Sequence, residues 1–293
     1  MISLNRVKRS YRNRSILVQE EPITIQKGVT CIIRLNGVGK TTLLKILTGI
    51  IEPEEGMIQY NSSSIADSLK DIGIMFDQGF FYPDLTGIEN LTYFNAFQEK
   101  PIDQNDLERI AKEWAIPLDD TKVKDYSFGM KKRLTIAFSR LSNPNYWFLD
   151  EPFNGIDSEG KEQLIHKIKS EREKNKTILL ISHDINRNIH LADHVLIVHN
   201  RSMYYIEEFS SYADQLIISS AFVSSKSGYD LPDELTSNLI SFVETNSGYE
   251  IHYLKEKETE IIEWFLEEKM TLKNVEDKLV PIEQLIQSIK ELS

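Results

Sequence analysis

Apolar residues change their period from one stretch of the chain to the next, and those changes predict its elements. Val29-Thr30-Cys31-Ile32-Ile33 is a β-branched run suited to a buried strand, and Thr41 to Leu47 carries apolar residues at helical spacing. Tyr146-Trp147-Phe148-Leu149 and Thr177-Ile178-Leu179-Leu180-Ile181 are unbroken apolar runs, the pattern of strands covered on both faces in a parallel sheet. Residues 87 to 141 turn helical, with helices expected from near Gly87, around 103 to 115 and around 129 to 141. Past about residue 210, β-rich runs (Gln215 to Val223, Tyr249 to Leu254) alternate with helical stretches (Glu256 to Glu268, Ile282 to Leu292). The pattern predicts an α/β domain over residues 1–210 and a small α+β accessory domain over 211–293. No stretch approaches the roughly 18 to 20 apolar residues that cross a bilayer, and Met1 to Arg9 lacks the apolar run of a secretory signal. No repeat, heptad pattern or low-complexity tract is visible.

Charge narrows the partners. The 293 residues hold 34 Lys and Arg against 45 Asp and Glu, a net charge of −11. That balance opposes general nucleic-acid binding, which needs clustered cations to displace counterions from phosphates. An anionic ligand must therefore be held by local geometry. The single thiol, Cys31, has no partner for an internal disulfide and sits among apolar residues, so a buried structural thiol in a reducing compartment is expected.

That local geometry is offered between the first buried strand and its helix. Arg34-Leu35-Asn36-Gly37-Val38-Gly39-Lys40-Thr41-Thr42 matches the second half of the phosphate-binding loop G-x-x-x-x-G-K-[ST]. Gly37 and Gly39 let the backbone curl with its N–H groups inward, and the helix N-terminus adds partial positive charge. Lys40 then reaches the β- and γ-phosphates, and the Thr41 hydroxyl completes a Mg²⁺ shell. Arg34 stands where the motif has Gly, so its side chain either restricts the turn or lies along the phosphates, and altered affinity or rate is expected. The alternative is a ligand-free turn. A second element follows at Asp150-Glu151-Pro152, where carboxylates emerge from the carboxyl end of an apolar strand. Asp150 suits the Mg²⁺ shell and Glu151 the polarising of a water; the alternative is that both merely cap the next turn.

With Tyr126-Ser127-Phe128-Gly129-Met130-Lys131-Lys132-Arg133-Leu134, residues 1 to about 205 resemble the nucleotide-binding subunit of an ATP-binding cassette (ABC) transporter. The segment resembles the family's L-S-G-G-Q signature, from which Tyr126, Phe128 and Met130 depart; its Ser-x-Gly-Met-Lys form is similar to exporter subunits whose membrane partner is a separate protein. Ser127 and the Gly129 amide precede an amphipathic helix and can face an anion there; a plain N-cap is the other reading.

The resemblance implies the rest of the site. It implies a P-loop ABC ATPase core with a mixed sheet and a helical subdomain at about 87–141. Tyr11 stacks on adenine, although a strand-edge Tyr packed on the core fits the local sequence as well. Asn36 to Thr42 hold the phosphates, Asn154-Gly155-Ile156-Asp157 is the loop that crosses to the other subunit, and His183 touches the γ-phosphate. The other five His residues show no metal-ligand spacing. The family's Gln aligns with Asp77, with Gln78 one place on, and either can approach Mg²⁺ or the water. Phe80, Phe81, Tyr82 and Pro83 suit a groove for a coupling helix of the membrane partner, or ordinary core of the helical insertion.

Two subunits, identical or related, close head to tail over ATP in this family, so Lys40 of one faces Ser127 of the other. The implied function is ATP hydrolysis that powers export through a separate transmembrane permease at the cytoplasmic face, with ATP and Mg²⁺ as cofactors and no nucleic-acid partner. The cargo implied is an amphipathic peptide, lipid or drug, phenol-soluble modulins among them. Residues 211–293 are similar to tails that hold two subunits together, and equally suit a solvated accessory domain. A soluble regulatory ABC ATPase, or a nucleotide-binding module that does not drive transport, is the competing function.

Overall fold

The structure, a computed structural model, describes residues 1–11, 14–19, 21–34, 40–77, 79–182, 189–199, 201–209, 216–224, 233–236, 238–245, 248–267 and 272–280. Along the first part run β1 (Ile2–Tyr11), β2 (Arg14–Val18), β3 (Ile23–Ile25), β4 (Gly28–Arg34), α1 (Lys40–Leu47), β5 (Glu55–Tyr60), α2 (Ile65–Ser68), β6 (Ile72–Met75), α3 (Gly87–Asn95), α4 (Gln104–Glu113) and α5 (Phe128–Phe138). Then follow β7 (Tyr146–Asp150), α6 (Ser158–Glu173), β8 (Thr177–Ile181), β9 (His194–His199) and β10 (Ser202–Ile206).

The apolar runs become one sheet. Among the described residues its order is β10-β9-β4-β8-β7-β6, with β9, β4, β8, β7 and β6 parallel and β10 antiparallel at the edge. Every residue of β7 and β8 is buried, as an unbroken apolar run requires when both faces are covered. On one face, Leu43, Leu44, Ile46 and Leu47 of α1 fill the space between this sheet and a second, antiparallel one. In that second sheet β1 pairs with β2, β3 and β5, contributing Ile2, Leu4, Ile25, Ile58 and Tyr60 to the same core. Leu134, Ile136, Leu164 and Ile168 are among the buried residues of α5 and α6, which pack on β6 and on β4 and β8.

Register sets the site. Gly28–Ile32 lies level with Thr177–Ile181, which lies level with Tyr146–Asp150 on its other side, so β4 and β7 end at one edge of the sheet. Open parallel sheets place ligands at that carboxyl edge. Cys31 is wholly buried in β4, and burial pushes its thiol far above the ordinary cysteine pKa, an inert structural group as expected.

Helix starts follow their capping residues. Thr86 and Glu89 form a capping box at α3, and Asp103, Ser127 and Asp157 cap α4, α5 and α6 through side-chain oxygens. The three helices expected between residues 87 and 141 are present.

The chain divides into two units, Met1–Ile185 with Leu191–Glu207 and Asn186–His190 with Glu208–Ser293. The second contains β11 (Ile217–Ser224), α7 (Asp233–Thr236), β12 (Ser241–Thr245), β13 (Gly248–Leu254), α8 (Glu258–Glu267) and β14 (Leu272–Leu279). Its strands run antiparallel in the order β12-β13-β11-β14, and Ile261 and Phe265 of α8 pack with Ala221, Val223, Tyr249, Ile251 and Tyr253. The expected strands and first helix of this region are found; the helix expected over 282–292 lies outside the described residues. β14 escaped the sequence reading because Leu272-Lys273-Asn274-Val275-Glu276-Asp277-Lys278-Leu279 is too polar to show a period.

Candidate active site

The buried acids sit where the register puts them. Asp150 ends β7 and Glu151 follows it, both buried. Glu151 has φ +49°, a left-handed backbone that a side chain disfavours. Its N–H donates to the Ile181 carbonyl at the end of β8 (2.9 Å), which pins the chain at that turn. Asn154 Nδ2 donates to Glu151 Oε2 at 3.4 Å, and the Asn154 N–H donates to the Glu151 carbonyl at 3.3 Å.

The stretch expected to bind phosphate lies between β4 and α1. β4 runs to Arg34 and α1 begins at Lys40, with Lys40 and Thr41 its first residues and Thr42 half-buried. The positions called for Asn36, Gly37, Val38, Gly39, Gln78 and His183 lie outside the described residues, as do the side chains of Tyr11, Arg34, Lys40 and Thr41. Tyr11 closes β1 opposite Arg14.

A second group of site residues surrounds the start of α5. Ser127 Oγ accepts from the Met130 N–H at 3.2 Å, so its cap is made and its hydroxyl proton is left for an acceptor outside the helix. The turn Asn154–Gly155 packs directly on this end. A Cβ at Gly129 would lie 2.9 Å from the Gly155 carbonyl oxygen, and one at Gly155, whose φ is +75°, would strike the Phe128 ring. Both glycines are needed for that approach. Asp157 caps α6 through the Gly160 N–H at 2.9 Å and accepts from Arg133 Nη2 at 2.6 and 2.8 Å. Those bonds, the Gly160 N–H foremost, hold its carboxyl below the ordinary aspartate pKa. Its carboxylate thus joins α5 to α6.

The loop after β6 is fixed from two sides. Lys132 of α5, 2% exposed, donates to Asp77 Oδ1 at 2.9 Å and to the Asp77 carbonyl at 3.3 Å. Buried Asn90 of α3 accepts from the Tyr82 N–H (2.8 Å) and donates to the Tyr82 and Thr86 carbonyls. Beyond Asp77 the aromatics divide. Phe81 contacts Phe94 and Phe138 edge to face, while Phe80 is 81% exposed and Tyr82, Tyr93 and Phe97 also face solvent. A cavity of about 420 Å³ between this loop and α5 is lined by Asp77, Phe81, Pro83, Val123, Phe128 and Lys132.

Sequence reasoning missed Asn90 altogether, and the contacts that Lys132, Arg133 and Asn154 make. Lys131-Lys132-Arg133 reads as a solvated basic run, and only helical phase against a known neighbour distinguishes the buried lysine from the exposed one. Asn90 has a signal, since it lies one turn into a capped helix that follows a Pro-Asp turn.

Comparison with known proteins gives the family. The family model for the ABC transporter matches residues 23–154. The lantibiotic transport ATP-binding protein SrtF of Streptococcus pyogenes is 32% identical over 214 residues, covering 71% of this chain and 91% of that protein. An uncharacterized ABC transporter ATP-binding protein of Bacillus subtilis, YhcH, is 27% identical over 304 residues and covers 96% of this chain and 95% of its own, the second unit included. Among solved structures, an ATP-binding subunit of an ABC transporter superposes with TM-score 0.65 at 22% identity, covering 73% of this chain and 92% of that one. A cassette solved as a dimer with ADP and phosphate superposes with TM-score 0.62 at 21% identity, covering 70% and 98%. The chain belongs to the ATP-binding subunits of ABC transporters, enzymes that bind and hydrolyse ATP to drive transport.

Proposed function

We propose that this chain is the ATPase of an exporter with a separate membrane subunit, working at the cytoplasmic face on amphipathic peptides. The observation that carries the reading is the buried Asp150–Glu151 pair, one strand from the strand that enters the phosphate loop and level with its end. The relative named for lantibiotic transport supports a peptide cargo.

The carboxylate at the end of β7 is a hard oxygen donor on a fixed strand, which suits Mg²⁺; such ions take one or two carboxylates and complete their shell with phosphate and water. Asp150 and the Thr41 hydroxyl would hold it, with Asp77 or Gln78 nearby, and it would neutralise charge on the phosphates. Lys40 and the amides of residues 36 to 42 hold the triphosphate, and Tyr11 stacks on its adenine. Glu151 orients a water, whose oxygen bonds to the γ-phosphorus as the bond to the β–γ bridging oxygen breaks, giving ADP and phosphate. His183 contacts the γ-phosphate. Ser127 and the Gly129 N–H supply donors to the nucleotide held by a second cassette, identical or related, with Asp157 in the loop between them.

The exposed aromatics supply the surface for the membrane subunit. Tyr82, Tyr93 and Phe97 present a contiguous ring cluster to solvent, and Phe80, two residues before Tyr82, is exposed as well, the composition of an interface core. The test is purification from detergent-solubilised membranes. A membrane-spanning partner is expected to co-purify with the wild-type chain and to be lost with Phe80→Ser/Phe97→Ser, which should itself melt like wild type. A partner held equally by both chains, or a soluble partner alone, would refute the assignment and favour a regulatory ATPase.

A further inference from the structure

Lys132 is unusual for a lysine: its side chain is 2% exposed, and among the described residues its ammonium meets Asp77 alone, at both the carboxylate and the main-chain carbonyl. Lysine is almost never buried to this degree unless its charge is matched. The match lies in a telling place. Met75 is level with Leu149 in the ladder between β6 and β7, so Asp77, two residues on, leaves the sheet at the edge that bears Asp150 and Glu151. Lys132 belongs to α5, whose first turn carries Ser127. One ion pair therefore fastens the loop beside the acids to the helix that presents Ser127 to the neighbouring nucleotide.

We infer that Lys132 is a positioning residue for ATP hydrolysis: through Asp77 it fixes the loop after β6 against α5, so that the acid edge and the Ser127 end are set in place together. A neutral side chain at 132 releases the loop, and Asp77 is then free to turn into solvent, where it is already half exposed. ATP binding depends on the phosphate loop and changes little. Turnover depends on the geometry at the γ-phosphate and falls, because displacement of a reacting group by about 1 Å costs up to roughly a hundredfold.

The inference rests on the reading of Glu151 and the phosphate loop as the ATPase centre, and its test separates the two. Phosphate release and thermal melting are measured for the full chain, with Lys132→Met, Asp77→Asn and the double variant beside wild type. Lys132→Met is expected to lower kcat at least about tenfold while KM for ATP stays within about threefold. Asp77→Asn should show the same split, and the double variant should be no slower than Asp77→Asn alone, since Lys132 acts only through Asp77. Should Lys132→Met fail to fold, Lys132→Gln takes its place, with the same fall in kcat expected. A wild-type kcat in either folded variant, equal changes in kcat and KM, or losses that multiply in the double variant would overturn the inference. If Glu151→Gln hydrolyses ATP as fast as wild type, it is the reading of the centre that fails.

Discussion

The two parts of the site are built in opposite ways. Asp150 and Glu151 are buried at the end of a strand whose every residue is buried, and Glu151 is held in a disfavoured conformation by the adjoining strand. Ser127 lies at the open end of α5, followed by Phe128, which is 61% exposed. A group that orients a water must be fixed and shielded, because its effect depends on geometry and on a low local dielectric. Ser127, in its proposed role of reading a nucleotide carried by another chain, has to be reachable. The far end of α5 is tied to α6 by buried charges. There Arg140, two residues past the helix, bonds at 3.0 Å to Glu171, a wholly buried acid of α6 that also meets Lys174 at 2.9 Å and Lys176 at 2.7 Å, while the Arg140 guanidinium lies over the Trp147 ring.

Three substitutions sharpen this contrast, in descending size. Glu151→Gln should lower turnover by about 10²–10⁴-fold, the range for a lost general base, with ATP binding intact; nucleotide titration beside phosphate release measures both, and unchanged turnover would move the role elsewhere.

Glu171→Gln should destabilise the first unit by about 3–5 kcal/mol, because Lys176 and Arg140 are left buried with no compensating charge; denaturant melts measure it. Burial pushes the Glu171 carboxyl up, but Lys176, Lys174 and Arg140 outweigh it and hold the pKa down to about 2, from 4.5. Burial also lowers Lys176, chiefly against the pull of this same acid. The acid governs the pH dependence, since it faces three cations. A depressed carboxylate pKa gives stability that is complete above about pH 4.5 and fades as pH falls towards 2, a loss of about 3 kcal/mol. Glu171→Gln should flatten acid unfolding in that window.

Ser127→Ala, at the exposed end, should cost about 1 kcal/mol through the lost cap. Its effect on turnover should grow with protein concentration as paired chains form, and a concentration-independent effect would confine Ser127 to capping.

The buried acids were legible in the sequence because apolar runs flag buried strands whatever their neighbours, and a carboxylate ending such a run must reach the sheet edge. Ser127 was legible as a cap and as a likeness. Less could be read where contacts join distant segments. β1, β2, β3 and β5 form the second sheet from stretches whose alternation is broken by charged residues such as Arg6, Lys8 and Arg9. Glu171 looks like one more charge in Ser170-Glu171-Arg172-Glu173, and only Arg140, Lys174 and Lys176 make it a buried centre.

By itself, the sequence determined three strands of the parallel sheet (β4, β7 and β8), the helices between residues 87 and 141 and the acids at the end of β7, because each depends on local period or on residues within one turn. Tertiary structure alone decided that Lys132 is buried against Asp77, that Gly129 admits the Gly155 carbonyl and Gly155 the Phe128 ring, and that Glu151 is strained. Those facts depend on which surfaces meet, and a burial or an ion pair between residues tens of positions apart leaves no periodic trace in the chain.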